Sequence, residues 1–296
     1  MKMKRKYIIS LLAAALISAQ ILTGCNGNEG TETNQGQVAS EDEMVTPEEL
    51  DLDGLKAVTG DQIKDGTYEI QVDSSSSMFR IDSCELTVKD GKMTAVMTMG
   101  GKGYLKVFMG TGEEAVSASE SECIPYEENK LGLHTYTVPV EALNQPIDCA
   151  AFSKDREKWY ERTLVFRASA IPVDAFEDGV VTTTASLGLE DGIYTVEAAL
   201  TGGTGKASIE SPTKMVVENG EAYVEITWSS ANYDYMKLDD EKYELADQEG
   251  NSNFILPINV FDWNVDVIAD TIAMSEPHEI EYTIVLDSES IKEVTE

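Results

Sequence analysis

The chain has 296 residues, of which 26% are charged, and its formal net charge is −32 at pH 7. This length suits a targeting segment, a tether and two domains of about 100 residues each. So negative a charge argues against binding to nucleic acid or to an anionic membrane face, because both need a positive footprint. It favours solubility and partners that are cationic or neutral.

Residues 1–24 have the pattern of a bacterial lipoprotein signal peptide. A basic start is followed by an apolar stretch, Tyr7–Leu22, that is short for a membrane span. Leu22-Thr23-Gly24-Cys25 then matches the lipobox. We expect Cys25 to become the mature N-terminus and to hold the protein at the extracellular face of the bacterial cell membrane by acyl chains such as palmitate. Loss of the four basic signal residues would change the formal charge from −32 to −36.

Residues 25–60 are rich in acidic and small polar residues and contain few large apolar ones. This composition predicts a disordered acidic tether. Within it, Thr46–Leu50 could start a short helix, because proline suits the first turn. Asp51–Gly54 is similar to the start of a calcium loop, but the remaining ligands are missing, and a turn is expected.

Residues 65–166 and 191–286 form two copies of one unit, which we call the first and second repeats. Four landmarks occur in the same order in both. They are an Asp-Gly-x-Tyr opening (Asp65–Tyr68, Asp191–Tyr194), a hairpin signal (Val88–Gly91, Val217–Gly220), a tyrosine thirteen residues after its glycine (Tyr104, Tyr233) and a Glu-x-Thr-aliphatic-Val-apolar ending (Glu161–Phe166, Glu281–Leu286). Their order indicates an internal duplication.

Apolar and polar residues alternate in several runs of both repeats, as in strands with one buried face. Asp90-Gly91 and Asn219-Gly220 are strong signals for type I′ hairpins. Convincing long helical stretches are absent. The sequence therefore predicts an all-β protein with two tandem immunoglobulin-like β-sandwiches, over residues 61–168 and 190–288. The linker, residues 169–189, is short and is expected to permit relative motion.

No catalytic constellation is visible, and we expect the protein not to be an enzyme. The two histidines, His134 and His278, lie in different repeats, and no nucleophile elbow, P-loop or zinc-protease motif occurs. Besides Cys25, the cysteines are Cys84, Cys123 and Cys149. Their odd number leaves at least one of the three free or paired elsewhere, and no zinc-knuckle spacing is present. A metal-assisted hydrolase with an acidic cleft is a weaker alternative.

Two segments of the second repeat are candidates for ligand binding. In the last hairpin, His278, Ile280 and Tyr282 share one face if the segment is a strand. Histidine and tyrosine are both axial ligands of haem iron, although a polar strand end beside a core tyrosine has the same pattern. In Trp228–Met236, the side chains of Tyr233 and Tyr235 could form a stacking wall for an aromatic or sugar-like ligand, or belong to an ordinary strand.

The order of these landmarks resembles that of the NEAT (near-transporter) domain of bacterial surface haem-acquisition proteins. The resemblance implies that haem lies in a groove against the last hairpin. It implies that the first tyrosine of a Tyr-x-x-x-Tyr motif binds the iron and that a Ser-Met segment after the first strand caps the other side. The first repeat has this segment as Ser77-Met78, whereas the second has Gly202–Gly205 in its place.

The two tyrosine positions fall on His278 and Tyr282 in the second repeat and on Lys158 and Arg162 in the first. Neither repeat therefore carries the whole motif. The resemblance implies His278 as the axial ligand of haem iron with Tyr282 as its support. In the first repeat it implies a site formed by Ser77, Met78 and Tyr160.

These patterns lead to two functional expectations. The first is a membrane-anchored protein that captures haem, or another iron-containing small ligand, and delivers it to an ABC transporter or to another surface haem protein. The alternative is a surface interaction module whose sandwiches bind a protein or glycan partner. In both, the lipid anchor is the only attachment to the membrane, and nucleic acid is not a partner.

Overall fold

The structure is a computed structural model that describes residues 36–52, 54–239, 241–247, 249–273 and 277–295. The predicted signal peptide and the predicted lipidation site, Cys25, lie outside these residues. Within the described ranges, no helix is long and apolar enough to cross a membrane.

The described chain is built almost entirely of strands. Up to the end of the first repeat they are β1 (Gln37–Val38), β2 (Val58–Thr59), β3 (Gly66–Ile70), β4 (Val72–Ser74), β5 (Ile81–Lys89), β6 (Lys92–Met99), β7 (Tyr104–Met109), β8 (Ile124–Pro125), β9 (Glu127–Glu128), β10 (His134–Val140), β11 (Ala142–Leu143), β12 (Pro146–Ser153) and β13 (Lys158–Phe166). The later strands are β14 (Thr182–Thr183), β15 (Gly192–Val196), β16 (Ala198–Gly202), β17 (Thr213–Glu218), β18 (Glu221–Thr227), β19 (Tyr233–Leu238), β20 (Glu241–Glu244), β21 (Asn253–Leu256), β22 (Val260–Phe261), β23 (Val265–Thr271), β24 (His278–Leu286) and β25 (Lys292–Glu293). The α-helices are α1 (Gly112–Ser117) and α2 (Thr184–Leu187), and the 3-10 turns are Glu41–Glu43, Gly60–Gln62, Glu120–Glu122, Val173–Ala175 and Ser288–Ser290. The all-β prediction is confirmed.

Each repeat contains two sheets, and the order of the main strands in each sheet is the same in both repeats. In the first repeat the paths are β3-β5-β6-β10-β9 and β1-β13-β12-β7-β8, and β4 also pairs with β13. In the second repeat they are β25-β15-β17-β18-β21 and β16-β24-β23-β19-β20. Thus β3, β5, β6 and β10 correspond to β15, β17, β18 and β21, and β4, β13, β12, β7 and β8 correspond to β16, β24, β23, β19 and β20. The arrangement is compatible with a β-sandwich in each repeat.

Local sequence explains the hairpins and the buried faces. Asp90 and Gly91 both have positive φ, 51° and 71°, as do Asn219 and Gly220, 55° and 81°. These are the conformations that a two-residue type I′ turn needs, and Asn, Asp and Gly tolerate them best. Along β5, Cys84, Leu86 and Val88 are buried while the residues between them are exposed. This two-residue period directs one face of the strand into the core.

Helix α1 covers part of the first repeat from outside. The Thr111 side chain accepts a hydrogen bond from the Glu114 backbone, and the Glu114 carboxylate accepts one from the Thr111 N–H, which is a capping box. The helix residue Ala115 and Cys123 pack with Ala150 and Trp159 in a small buried cluster. The sheet that contains β12 and β13 is therefore covered on this face as well as on its core face.

The described part of the predicted tether is attached to the first repeat. Strand β1 runs parallel to β13, with Gln37 opposite Lys158, and the Lys158 Nζ lies 2.6 Å from a Glu43 carboxylate oxygen. Residues 58 and 59 form β2 and pair with β11. The open edge of β13, the Lys158 side chain and β11 thus supply long-range partners for this segment that its composition does not reveal.

The predicted linker, residues 169–189, is also packed. Ile171 and Phe176 are buried, and the Lys64 N–H donates to the Ala175 carbonyl at 2.8 Å. Strand β14 pairs with β22, and the Phe176 ring meets the Trp263 ring edge-on at 5.3 Å. A single cluster of buried hydrophobic residues extends through both repeats. The segment thus connects the repeats through side-chain packing as well as through the chain.

Candidate functional site

Two of the tyrosines predicted to bind a ligand meet in the core of the second repeat. The hydroxyls of Tyr233 (β19) and Tyr282 (β24) are 3.0 Å apart and form a hydrogen bond. Trp228 stacks on Tyr233 with 4.0 Å between ring centroids and meets Tyr282 edge-on at 5.0 Å. All three side chains are buried. The cluster is therefore a filled interior, since each ring is in contact with the others.

The predicted iron ligand does not join this cluster. His278 is exposed at the start of β24, opposite Thr271, whereas Tyr282 is buried four residues further along the same strand. Burial and then the hydrogen bond with Tyr233 raise the pKa of Tyr282, so that its phenol stays protonated at neutral pH. A metal ligand has to be deprotonated. This arrangement does not fit iron ligation by Tyr282.

The hydrogen bond between the two phenols makes a testable contribution to stability. The Tyr282→Phe change leaves the buried Tyr233 hydroxyl without its partner and is expected to lower the free energy of unfolding by about 1–3 kcal/mol. Removing both hydroxyls leaves no orphan group, so the double Phe variant should lose less than the sum of the two single variants. Urea unfolding of the four proteins measures this coupling, and additive losses would contradict the pairing.

Tyr235 lies on the other face of β19 from this cluster. Its hydroxyl donates to a Glu279 carboxylate oxygen at 2.7 Å, and Lys242 Nζ lies 4.0 Å from the centroid of its ring. Tyr235 and Tyr233 therefore do not form one stacking wall. The structure assigns them to opposite sides of the sheet, at the point where the register between β19 and β23 shifts.

The first repeat has a buried arginine where the second has Tyr282. Arg162 is 5% exposed, and its guanidinium carbon lies 4.6 Å from the Phe79 ring centroid and 4.8 Å from that of Tyr104. Nε and Nη2 donate to the Tyr160 carbonyl at 3.2 and 3.0 Å, and Nη1 donates to the Tyr104 hydroxyl at 3.4 Å. Within the described residues, no carboxylate forms an ion pair with it. Its charge is therefore compensated by aromatic rings and dipoles alone.

Of the residues predicted for the first-repeat site, Tyr160 contacts this arginine, through its backbone carbonyl. Ser75, just before Ser77, binds β13 by two hydrogen bonds with Thr163, at 2.9 and 2.8 Å. Ser77 and Met78 are exposed, and Met78 retains 66% of its accessible surface. Tyr160 is half-buried, and its carbonyl binds Arg162. The described structure contains no direct hydrogen bond or ring contact between Tyr160 and either Ser77 or Met78.

Four loops meet at the end of the first repeat near Arg162, and we call them the first loop end: residues 75–80, 100–103, 129–133 and 154–157. The Gly100 N–H donates to the Arg80 carbonyl at 2.9 Å, and the Lys154 N–H donates to the Gly103 carbonyl at 2.8 Å. Lys102 forms an ion pair with Glu128, just before the third loop. On the third loop, Leu131 is 83% exposed.

The loops of the first loop end contain more basic than acidic residues, and two of the basic ones, Arg80 and Lys102, are paired with Asp82 and Glu128 just outside the loops. Its loops contain five basic residues and two acidic ones, a formal charge of +3: Arg80, Lys102, Lys130, Lys154 and Arg156 against Asp155 and Glu157. The equivalent loops of the second repeat, residues 203–212, 228–232, 245–252 and 272–277, contain one basic and four acidic residues, a charge of −3. The equivalent loops of the two repeats therefore have formal charges of opposite sign in the sequence.

Three further kinds of site were considered: reactive cysteines, metal-binding clusters and cavities. Burial raises the pKa of the Cys84 and Cys149 thiols to about 12, so both remain protonated and unreactive at neutral pH. No cluster of three or more His, Cys, Asp or Glu side chains that could hold a metal occurs in the described ranges. A cleft of about 60 Å³ between the repeats is lined in part by Arg167, Trp263 and Asn264. It has room for a few waters but not for a haem-sized ligand.

Comparison of the chain with models of known protein families and with curated proteins finds no match.

Proposed function

We propose that the protein is a binding protein, not an enzyme, held by its lipid anchor at the outer face of the bacterial membrane. Its ligand would be an anionic amphipathic molecule of the haem type, bound at the first loop end and handed on to an ABC transporter or another surface haem protein. One observation carries this proposal. In a chain of charge −32, the loops of charge +3 also expose Met78 and Leu131.

The chemistry of haem matches this surface better than it matches the second repeat. A porphyrin offers a broad apolar face and two carboxylates. Met78 and Leu131 would contact the apolar face, and methionine sulfur is an established axial ligand of haem iron. Lys130, Lys154 and Arg156 are exposed and would pair with the carboxylates. The resemblance to NEAT domains supports the same location, since its Ser-Met segment corresponds to Ser77-Met78.

A haem titration of the mature chain tests the proposal. We expect a shifted Soret band that saturates, and an affinity that falls on the order of tenfold in Met78→Ala. The matched controls are Ile255→Ala, which alters a residue that is 50% exposed in the second repeat, and His278→Ala. Both should leave the affinity unchanged. The absence of a Soret shift would refute haem capture, and a shift abolished only by His278→Ala would return the site to the second repeat.

A macromolecular partner is the second candidate, favoured by a different observation. On the outer face of the second-repeat sheet, Ile193 is 46% exposed and lies opposite Val216, which in turn lies opposite the half-buried Tyr223. Such a row of apolar side chains is typical of a contact surface. Ligand-free protein should then retain a protein or glycan partner that Ile193→Lys releases. Retention by both proteins would exclude this face.

A further inference from the structure

In the first repeat, an extended segment from outside the repeat is added to the edge of β13. Strand β1 runs parallel to β13 with Val38 opposite Trp159, and the Ala39 N–H donates to the Trp159 carbonyl at 2.8 Å. Further along the same edge, β4 pairs with residues 164–166. Two segments therefore share this edge, and β1 covers the part where β13 begins.

The equivalent edge of the second repeat is only partly covered. Strand β24 corresponds to β13, and Glu279 occupies the position of Trp159. Strand β16 pairs with the later part of β24, residues 282–286. In the described chain, β23 is the only strand that pairs with residues 278–280. Among the described residues, nothing therefore takes the position that β1 fills in the first repeat.

Two glycines turn the chain away from this edge. Gly202 and Gly203 have positive φ, 99° and 54°, and the Gly203 N–H donates to the Glu281 carbonyl at 3.2 Å. The backbone groups of successive residues point to opposite sides of a strand. The N–H and C=O of Glu279 therefore face the same edge as the Glu281 carbonyl. Because Glu279 is exposed, a partner can reach these groups.

The carboxylates of this edge differ in their contacts. The Glu279 carboxylate accepts a hydrogen bond from the Tyr235 hydroxyl at 2.7 Å and pairs with Lys237, so it is held across β23 and away from the edge. The Lys237 and then the Tyr235 contacts lower the pKa of Glu279. Glu281 is exposed, and its carboxylate forms no ion pair within the described residues. It is therefore available to a cationic partner.

Charge indicates which kind of segment fits each edge. Residues 36–43, which contain β1, have three acidic residues and no basic one, and their Glu43 pairs with Lys158 of β13. In the second repeat, His278 occupies the position of Lys158, and the loops at this end have a formal charge of −3. The acidic tether of a second copy would bring like charges together here. A basic segment has the complementary charge.

We infer that the open edge of β24 binds an extended, basic segment of another protein as an added parallel strand. The N–H and C=O of Glu279 bond to its backbone, as those of Trp159 face β1, and the Glu281 carboxylate pairs with a lysine or arginine of the segment. This site lies on neither the first loop end nor the face that contains Ile193. It therefore does not depend on haem capture.

Peptides based on residues 36–43 test the inference. The probe carries Glu41→Lys, Asp42→Lys and Glu43→Lys and is added to the mature chain while amide hydrogen exchange is followed by NMR. At about nine-tenths saturation, exchange of the Glu279 amide should slow about tenfold, because only the free tenth of the protein exchanges. The Trp159 amide, whose edge is covered by β1, should keep its rate. No slowing at Glu279 would overturn the inference.

Two controls separate strand addition from simple attraction of charge. The basic probe with Ala39→Pro lacks the N–H that would bind the Glu279 carbonyl, and it should not slow exchange. In the protein, Glu281→Lys should weaken binding of the basic probe on the order of tenfold. Glu218→Lys makes the same change at an exposed residue of β17 and should not.

Three outcomes of these controls would contradict the proposal. Equal slowing by the proline peptide would mean that the probe adheres by charge alone. Equal effects of Glu281→Lys and Glu218→Lys would mean that the edge of β24 does not select the basic segment. Slowing by the unmodified acidic peptide at least as strong as that by the basic probe would assign the edge to the tether of a second copy.

Discussion

Replacement of Trp228 by alanine is expected to lower the free energy of unfolding by about 3–5 kcal/mol. Only 1% of the indole is accessible, and its ring contacts both Tyr233 and Tyr282. The indole Nε1 also donates to the Met236 sulfur at 3.4 Å. Alanine would remove all of these contacts and leave a cavity between the two sheets of the second repeat.

Urea unfolding followed by circular dichroism measures this loss. Trp228→Phe retains a ring and should lose less than half as much. Tyr223→Ala is the control. Tyr223 lies on the outer face of β18, the strand that ends just before Trp228. Its hydroxyl donates to the Glu221 carboxylate at the surface. If Trp228→Ala cost no more than this control, the aromatic cluster would not be part of the core.

The sequence could predict the features that depend on neighbouring residues in the chain, namely hairpin turns, strand alternation and helix caps. The Asp-Gly and Asn-Gly hairpins depend on two residues each, and alternation along β5 or β24 reports burial of one face directly. The capping box Thr111–Glu114 is an equally local signal, and it would have predicted α1. The duplicated order of strands agrees with the sequence repeat because equivalent landmarks occupy equivalent strands.

The features that sequence could not predict depend on partners that are distant in the chain. Alternation places Asp270 on the outer face of β23, yet only 3% of it is accessible, and its cross-strand neighbours Tyr235 and Glu279 are joined by a hydrogen bond that no local pattern indicates. The pairing of Gln37 and Val38 with β13 crosses more than 100 residues. Such contacts form only when complete sheets pack together, so a short stretch of sequence does not reveal them.

Arg162 provides the second large effect. Arg162→Ala should lower the free energy of unfolding by about 3–4 kcal/mol, because it removes the hydrogen bonds to Tyr160 and the contacts with two aromatic rings. Arg162→Met keeps much of the packing without a buried charge and should lose less. Arg162→Lys retains the charge but lacks the planar fork that stacks between Phe79 and Tyr104, and should lie between them.

The order of these three variants distinguishes two roles for the arginine. If Arg162 serves only to fill the core, Met should be the mildest change both for stability and for binding at the first loop end. If its positive charge also attracts an anionic ligand through the loops above it, Met should still be the mildest change for stability but should weaken haem binding, whereas Lys should preserve binding with a larger loss of stability. Unfolding and titration of the same three proteins separate these outcomes. The second repeat has Tyr282 at this position and an excess of acidic residues in its equivalent loops, so under the proposed function we expect haem to bind the first repeat and not the second.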